Sequence, residues 1–336
     1  MNLVRATDAA FPALWSRLYA EDALQYPLLT PLDIIYSKEY AKDSKFEDVS
    51  FLTEENGAPL MGVRLAVREH PDGRKEISGF GRHIGYLETP TMDAPSRDGS
   101  AGMVREELQK ILAANETATA VYIEHRPTLS PVSRLLLDSG GKATARFSQI
   151  INLLVPETQL RSQLRKSYKS LLNWGAKNLA LRILDHTNVT AEAMEQFRQL
   201  HLEVAGRETR SKASWDLQLE MIRQQEAFMV LGDLEGQFVT AALFIHSPKY
   251  CFYGVSASKR ELFEKPLGHI ILWTAILQAK KIGCPFFETG EQLFPQQGAT
   301  PPTPKELNIS GFKKGFAGET YTRLEIIWKK PTPPPA

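Results

Sequence analysis

Apolar positions recur along this chain with two periods, and the points where one replaces the other outline its elements. A helical start carrying Trp15 and Leu18 gives way to strand-like runs at Val49 to Thr53, Leu60 to Arg68 and Glu76 to Gly81. Glu55-Asn56-Gly57 and Pro71-Asp72-Gly73 separate them, turn sequences that predict an antiparallel meander. Helical spacing then predicts helices at Ser100 to Ala114 and Ser130 to Leu137, with strands at Ala120 to Glu124 and Ser148 to Val155. The second half opens with helical runs at Thr158 to Asn173, Thr190 to Ala205 and Ser214 to Gln225. Three strands follow, Phe228 to Asp233, Phe238 to His246 and Tyr250 to Val255, joined at Gly236 and Ser247-Pro248-Lys249. An apolar helix from Gly268 to Gly283 leads to a strand at Pro285 to Glu288.

The same order of elements returns after about 160 residues, which predicts two related α/β units sharing a cleft. With 336 residues, 43% of them hydrophobic and 24% charged, the chain suffices for two domains with cores of their own. We place the boundary after residue 156, giving domains 1–156 and 157–330, and read 331–336 as a disordered proline-rich tail. Runs such as Ile270 to Leu277 fall short of the roughly 20 apolar residues a membrane span needs. The start of the chain lacks a basic segment followed by an apolar one, so the expected location is the cytoplasm. Cys251 and Cys284, 33 positions apart, fit neither a zinc knuckle nor a redox pair and read as buried free thiols; no metal site is expected.

A net charge of +1 excludes a surface built throughout for nucleic acid. Locally the balance differs: Arg161, Arg165, Lys166, Lys169, Lys177 and Arg182 occur with no acid between them, either a solvated helix face or a surface for phosphorylated molecules. The strand ending near Val255 feeds a loop and then a helix start at Pro266-Leu267-Gly268-His269. Backbone N–H groups there lack helical partners, and Lys259, Arg260 and Lys265 add positive charge, a combination suited to the phosphates of a donor. His269 falls in the first turn, where the helix dipole favours the neutral base. Arg207 and Arg210 follow Gly206, the expected helix terminator, and their forked guanidinium groups suit an acceptor's phosphate or carboxylate. Glu288 and Glu291 bracket Gly290 at a strand mouth, where a carboxylate can take up a proton. The segment from Glu291 to Lys305 reads as a long loop, either a lid or a tolerated insertion. Hydrolase elbow, P-loop, dinucleotide and zinc-protease motifs are missing.

The second-half order of elements resembles the GNAT acyltransferase fold, and residue by residue the chain is more similar to the FemAB-like transferases, two such units in tandem. The resemblance rests on Leu164-Arg165-Lys166-Ser167-Tyr168, Phe197 to His201 with Gly206-Arg207, and Cys251 to Ser258. It continues through Lys265-Pro266-Leu267-Gly268-His269, Phe287-Glu288-Thr289-Gly290 and Phe312-Lys313-Lys314-Gly315-Phe316. It covers most of Leu160 to Trp328, and the first 150 residues match in element order. The implied fold is two GNAT-like domains, each a mixed, mainly antiparallel sheet flanked by helices. The implied reaction carries an acyl or aminoacyl group to an amine from an acyl-CoA or an aminoacyl-tRNA, with no permanently bound cofactor. Glu288, Lys313, Tyr253 and His269 are the expected catalytic residues, Glu288 and His269 as proton acceptors by type and position, while the resemblance implies Tyr253 near the acceptor and Lys313 on the substrate or the developing negative charge. The expected function is N-acyl transfer to an amino-sugar or peptide acceptor, free or nucleotide- or lipid-linked, in cell-envelope or polysaccharide biosynthesis. A tRNA-dependent peptidoglycan aminoacyltransferase and a non-catalytic binding protein are the alternatives.

Overall fold

The computed structural model describes residues 1–42, 44–70, 72–115, 118–297 and 301–329, so Pro71 and the tail beyond 329 lie outside the described residues. Contacts divide the described residues into two compact units: those of 1–25, 29–146 and 322–329 form the first, and those of 26–28 with 147–321 form the second. Both combine mainly antiparallel sheets with helices.

In the first unit, β1 (Asn2–Arg5), α1 (Phe11–Glu21) and α2 (Pro31–Tyr40) precede a run of short strands. These are β2 (Phe46–Asp48), β3 (Phe51–Glu55), β4 (Ala58–Arg64), β5 (Ala66–Glu69), β6 (Lys75–Ser78) and β7 (Gly85–Glu88). The expected three-strand meander is corrected here, because Leu60 to Arg68 is not one strand. It breaks at Leu65, whose N–H donates to Ser50 Oγ at 3.1 Å and whose carbonyl accepts from Val49 N–H at 3.1 Å. β4 therefore joins β1, β3 and β7 in one sheet, while β5 turns to pair with β2 and β6. α3 (Ala94–Ala114), β8 (Ala118–Glu124) and α4 (Pro131–Asp138) complete this part, with Val104, Leu108, Val132 and Leu136 fully buried among Phe51, Leu65 and Ile77.

β9 (Lys142–Asn152) leads into the second unit, where α5 (Glu157–Gln163) and α6 (Lys166–Asn178) replace the single helix expected at Thr158 to Asn173. The break has a tertiary cause: Leu164 is buried, forms an antiparallel bridge to Phe316, and Arg165 N–H donates to the Gly315 carbonyl at 3.0 Å. β10 (Leu179–Leu184) is an edge strand the sequence pattern missed, followed by α7 (Ala191–Ala205) and α8 (Lys212–Arg223). β11 (Ala227–Leu234), β12 (Gln237–His246) and β13 (Tyr250–Ser258) form the predicted meander. α9 (Leu267–Lys281) crosses to β14 (Phe286–Glu291), which pairs parallel to β13 and antiparallel to β9. α9 packs its Ile270, Ile271, Trp273 and Ile276 into a core with Phe228, Phe244 and Phe287. α10 (Pro304–Lys313) then occupies ground expected to be loop and turn. Its start is fixed by a capping box, Thr303 with Glu306, and by Pro304 in the first turn. β15 (Glu319–Lys329) closes the chain, and from Leu324 onward it pairs with β8 in the first unit.

Cys251 and Cys284 are buried free thiols, as their apolar contexts lead one to expect. Burial pushes the Cys284 thiol up to about 12. No described helix is long and apolar enough to cross a membrane.

Candidate active site

Parallel strands joined through a helix normally pair along their length, but β13 and β14 part early. Their register contains Tyr250 with Phe286, Cys251 with Phe287 and Phe252 with Glu288, and no pair beyond. β13 continues to Ser258 along β12 alone, with a bulge at Gly254 between the Leu243–Val255 and Phe244–Tyr253 pairs. The β14-facing edge of β13 past Phe252 thus offers backbone donors and acceptors without a strand partner. Glu288 sits where the strands part.

Glu288 is 4% exposed, and its Oε2 accepts the Tyr250 hydroxyl at 2.8 Å. The contact is diagonal across the strand pair, since Tyr250 lies opposite Phe286, two residues before Glu288. A carboxyl group this deep needs hydrogen-bond partners, and the Tyr250 hydroxyl satisfies one oxygen. β14 bulges after Glu288 in its pairing with β9, and Gly290 takes a φ of +114, a conformation that glycine adopts freely.

Lys313 lies on that bulge. A Cβ built on Gly290 would fall 2.5 Å from Lys313 Nζ, so the missing side chain is what lets the ammonium approach the strand. The same nitrogen is 5.9 Å from the centroid of the Tyr253 ring. Burial lowers the Lys313 pKa, while Glu288 and Glu291 pull it back up. Tyr253 stacks on Phe244 at 5.3 Å and donates its hydroxyl to Ser256 Oγ at 2.8 Å. Burial raises its pKa, with the Ser256 bond opposing. Glu288, Lys313 and Tyr253, with Glu291 acting on the lysine, therefore form one constellation.

Two fastenings set the position of Lys313. Ser310, one turn earlier on α10, accepts from Leu293 N–H at 2.8 Å and from Gln292 Nε2 at 2.6 Å, which ties the helix to the chain leaving β14. At the other end, the Tyr168 hydroxyl donates to the Phe312 carbonyl at 2.8 Å, and Arg165 Nη2 donates to the Gly311 carbonyl at 2.8 Å. Gly315 lies flat against the Tyr168 ring; a Cβ there would fall 2.1 Å from its Cε2. The sequence resemblance marked Leu164 to Tyr168 and Phe312 to Phe316 as separate segments, and here they are one joint.

His269 belongs to this joint rather than to the Glu288 constellation. Its ring meets Tyr168 at 4.6 Å, Phe312 at 5.0 Å and Phe316 at 6.1 Å. Burial lowers its pKa, partly offset by a hydrogen bond at the Pro266 carbonyl, so the neutral ring expected from the sequence is favoured. Among the described residues its ring contacts are those of the joint, not Glu288 or Lys313. α9 follows Pro266 at its N-cap position without a side-chain cap, and a Cβ added to Gly268 would meet Phe312 Cζ at an ordinary 3.6 Å. Of the three expected donor cations, Lys265 is exposed beside Trp174 with Nζ 5.8 Å from the ring, and Arg260 is exposed on a short turn. Lys259 lies 3.9 Å from Glu261 and lines a groove of about 780 Å³ between α7 and α8, which contains neither Glu288 nor Lys313.

Gly206 ends α7 in the left-handed conformation, φ +71, as its position predicted. Beyond it the two arginines separate. Arg210 Nη1 is 3.2 Å from His201 Nε2 and its guanidinium lies 5.8 Å from the Trp215 ring, whereas Arg207 is exposed. Neither has a described contact with Glu288, Lys313 or Tyr253. Residues that sequence reasoning missed are Tyr250, Tyr168, Gln292 and Ser310. Tyr250 was open to detection through strand register, but the others act through contacts far apart in sequence.

The fold is that of the tandem GNAT-like and FemAB-like proteins. Among solved structures, FemX superposes with a TM-score of 0.69, covering 98% of this chain and 97% of that one at 11% identity. The C-terminal domain of a putative lysylphosphatidylglycerol synthetase from Agrobacterium fabrum gives 0.60, with 95% and 92% covered at 12% identity. A tandem GNAT protein from the clavulanic acid biosynthesis pathway gives 0.54, with 98% and 99% covered at 15% identity. At such identities the likeness is one of fold. No family model matches the sequence, and no curated protein matches it.

Proposed function

We propose that the chain is an N-acyltransferase whose C-terminal GNAT-like domain moves an acyl or aminoacyl group onto an amine. The observation that carries this reading is the parting of β13 from β14 with buried Glu288 at the fork and Lys313 over Gly290. An extended, amide-bearing donor arm can pair with the open edge of β13, and the uncapped start of α9, with Lys265 and Arg260 nearby, suits the donor's phosphates. That chemistry is shared by a coenzyme A thioester and the end of a charged tRNA. The acceptor amine gives its proton to Glu288, directly or through water, and bonds to the acyl carbon; the carbon–sulfur or carbon–oxygen bond to the donor breaks, and the departing thiolate or ribose oxygen takes up a proton, while the Tyr250 hydroxyl holds the Glu288 carboxylate in place. The Lys313 ammonium faces the carbonyl oxygen as it gains charge, and Tyr253 borders the acceptor. Arg207 and Arg210 remain candidates for an acceptor phosphate, which fits an amino sugar or peptide carried on a nucleotide or lipid diphosphate. We place the reaction in the cytoplasm, in the synthesis of cell envelope or polysaccharide.

Calorimetric titration with acetyl coenzyme A and with a charged tRNA minihelix identifies the donor, and mass spectrometry of amine acceptors follows transfer. Glu288→Gln should lower turnover by about 10²-fold or more at unchanged donor affinity, the range for a positioned general base. Full turnover in that variant would remove Glu288 from the chemistry, and failure of the wild type to bind either donor would favour a non-catalytic binding protein.

A further inference from the structure

The second unit carries a cationic face that the transfer chemistry does not use. α6 turns Lys166, Lys169, Asn173 and Lys177 outward along one stripe, opposite the buried Tyr168, Leu172 and Gly175. Asn173 Oδ1 accepts from Arg161 Nη2 at 3.1 Å, which brings the α5 arginine into the stripe. No acidic residue occurs between Arg161 and Arg182, and no ion pair is described for Lys166, Lys169 or Lys177. The stripe is rigidly mounted: Gly175 lets α6 press on α9, where a Cβ would fall 2.6 Å from Ile270.

Beside this stripe stands the loop that joins β13 to α9. Lys265 caps the flank of α6 over Trp174, and Leu262 packs against the core of the unit. Phe263, between Leu262 and Lys265, stays 67% exposed. An aromatic side chain held out by an anchored neighbour beside unpaired lysines has the makeup of an interfacial anchor, an apolar wedge with basic flanks.

We propose that this face docks on an anionic phospholipid bilayer, with Lys166, Lys169 and Lys177 in the headgroup layer and Phe263 entering the acyl boundary. Lysines act as compact point charges, suited to a diffuse layer of headgroups. Single-stranded nucleic acid instead calls for stacking platforms, and the α6 stripe exposes none, its Trp174 being covered by Lys265. Glu261 is offset by Lys259 at 3.9 Å, and Glu264 opposes docking. The inference stands apart from the transferase reading, since it concerns where the protein sits and is read by binding alone.

The test is co-sedimentation of the full chain with phosphatidylcholine vesicles and with vesicles that also contain phosphatidylglycerol. Binding is expected to the anionic vesicles alone and to weaken as salt is added. Lys166→Glu with Lys169→Glu should lower affinity by about 10²-fold or more, each basic group near such a surface being worth about fivefold and each reversal counting twice. Phe263→Ser should cost about tenfold. Tryptophan at the same site, as Phe263→Trp, should show a blue-shifted emission on anionic vesicles, a readout that needs no loss of binding. Equal affinity for neutral vesicles, no binding, or an unshifted Phe263→Trp emission would overturn the proposal. Tight binding of a hairpin RNA, unaffected by Phe263→Ser and without vesicle binding, would overturn it in favour of a nucleic-acid face.

Discussion

Replacing Gly290 by alanine asks whether Lys313 works from the position the strand bulge allows it. Two effects separate cleanly. The backbone at φ +114 disfavours any side chain, a cost of about 1–3 kcal/mol, which should lower the midpoint of thermal unfolding by roughly 2–12 °C for a unit of this size. The new Cβ would also sit 2.5 Å from Lys313 Nζ, 0.9 Å inside the 3.4 Å edge of ordinary contact. The tip of a lysine yields easily, so the clash adds little to the stability loss, but the ammonium must move by about 1 Å. A displacement of that size at a reacting centre is worth on the order of 10²-fold in rate. Turnover with whichever donor proves competent, beside a circular dichroism melt, gives both numbers. Because the rate loss is assigned wholly to the lysine, Gly290→Ala and Lys313→Ala should not compound: the double variant should turn over like Lys313→Ala alone. Full turnover in Gly290→Ala, or penalties that multiply in the double variant, would refute the argument.

Other expectations rest on separate contacts. Burial holds the Lys313 pKa below the 10.5 of the free side chain, so between that lowered value and 10.5 the unfolded chain binds more protons than the folded one. Stability should therefore rise with pH across that window, and Lys313→Met should flatten the rise in urea titrations; an unchanged slope would mean the amine is hydrated. Ser310→Ala removes the acceptor of the half-buried Leu293 N–H and one of the two acceptors of the Gln292 amide, which keeps the Leu293 carbonyl at 3.0 Å, a cost of about 1–2 kcal/mol. It should lower kcat more than it raises KM, because α10 loses its tie to β14; a change confined to stability would make Ser310 structural only. In the first unit, Arg64 and Asp33 pair at 3.0 Å with side chains 2% and 0% exposed. Arg64→Met should cost about 3–5 kcal/mol by stranding the buried carboxylate, measured by chemical denaturation, and a loss under 1 kcal/mol would show that Arg82 suffices.

Where an element is decided by its own pattern, the sequence was enough. The meander β11–β13 and the crossover α9 appear close to the expected positions because long apolar runs and the turn at Ser247-Pro248-Lys249 settle them locally. Where tertiary contacts decide, the pattern misled. Leu60 to Arg68 alternates like one strand, yet the Ser50 hydroxyl takes over the pairing of Leu65 and sends the chain into two sheets. Thr158 to Asn173 has continuous helical spacing, yet Leu164 gains more from burial beside Phe316 than from another helical turn.

The same distinction explains the site. Glu288, Tyr253 and Lys313 were open to selection by residue type and by resemblance, and they stand together in the structure. The reason they stand together was harder to read. Lys313 was expected on a turn, whereas it ends a helix that Thr303-Pro304-Lys305-Glu306 announces: a cap, a proline in the first turn and a glutamate at the third position. Asn308, Ser310 and Gly311 obscured that signal, being poor helix formers. Ser310 nonetheless fits, since its hydroxyl accepts from the strand exit and so repays its weak propensity through a tertiary bond. Two locally unfavourable choices, Ser310 within a helix and Gly290 at a left-handed bulge, thus serve one purpose. They bring a helix-borne lysine onto the strand bulge, within electrostatic reach of a strand-borne carboxylate, which neither element would do with residues chosen for its own stability.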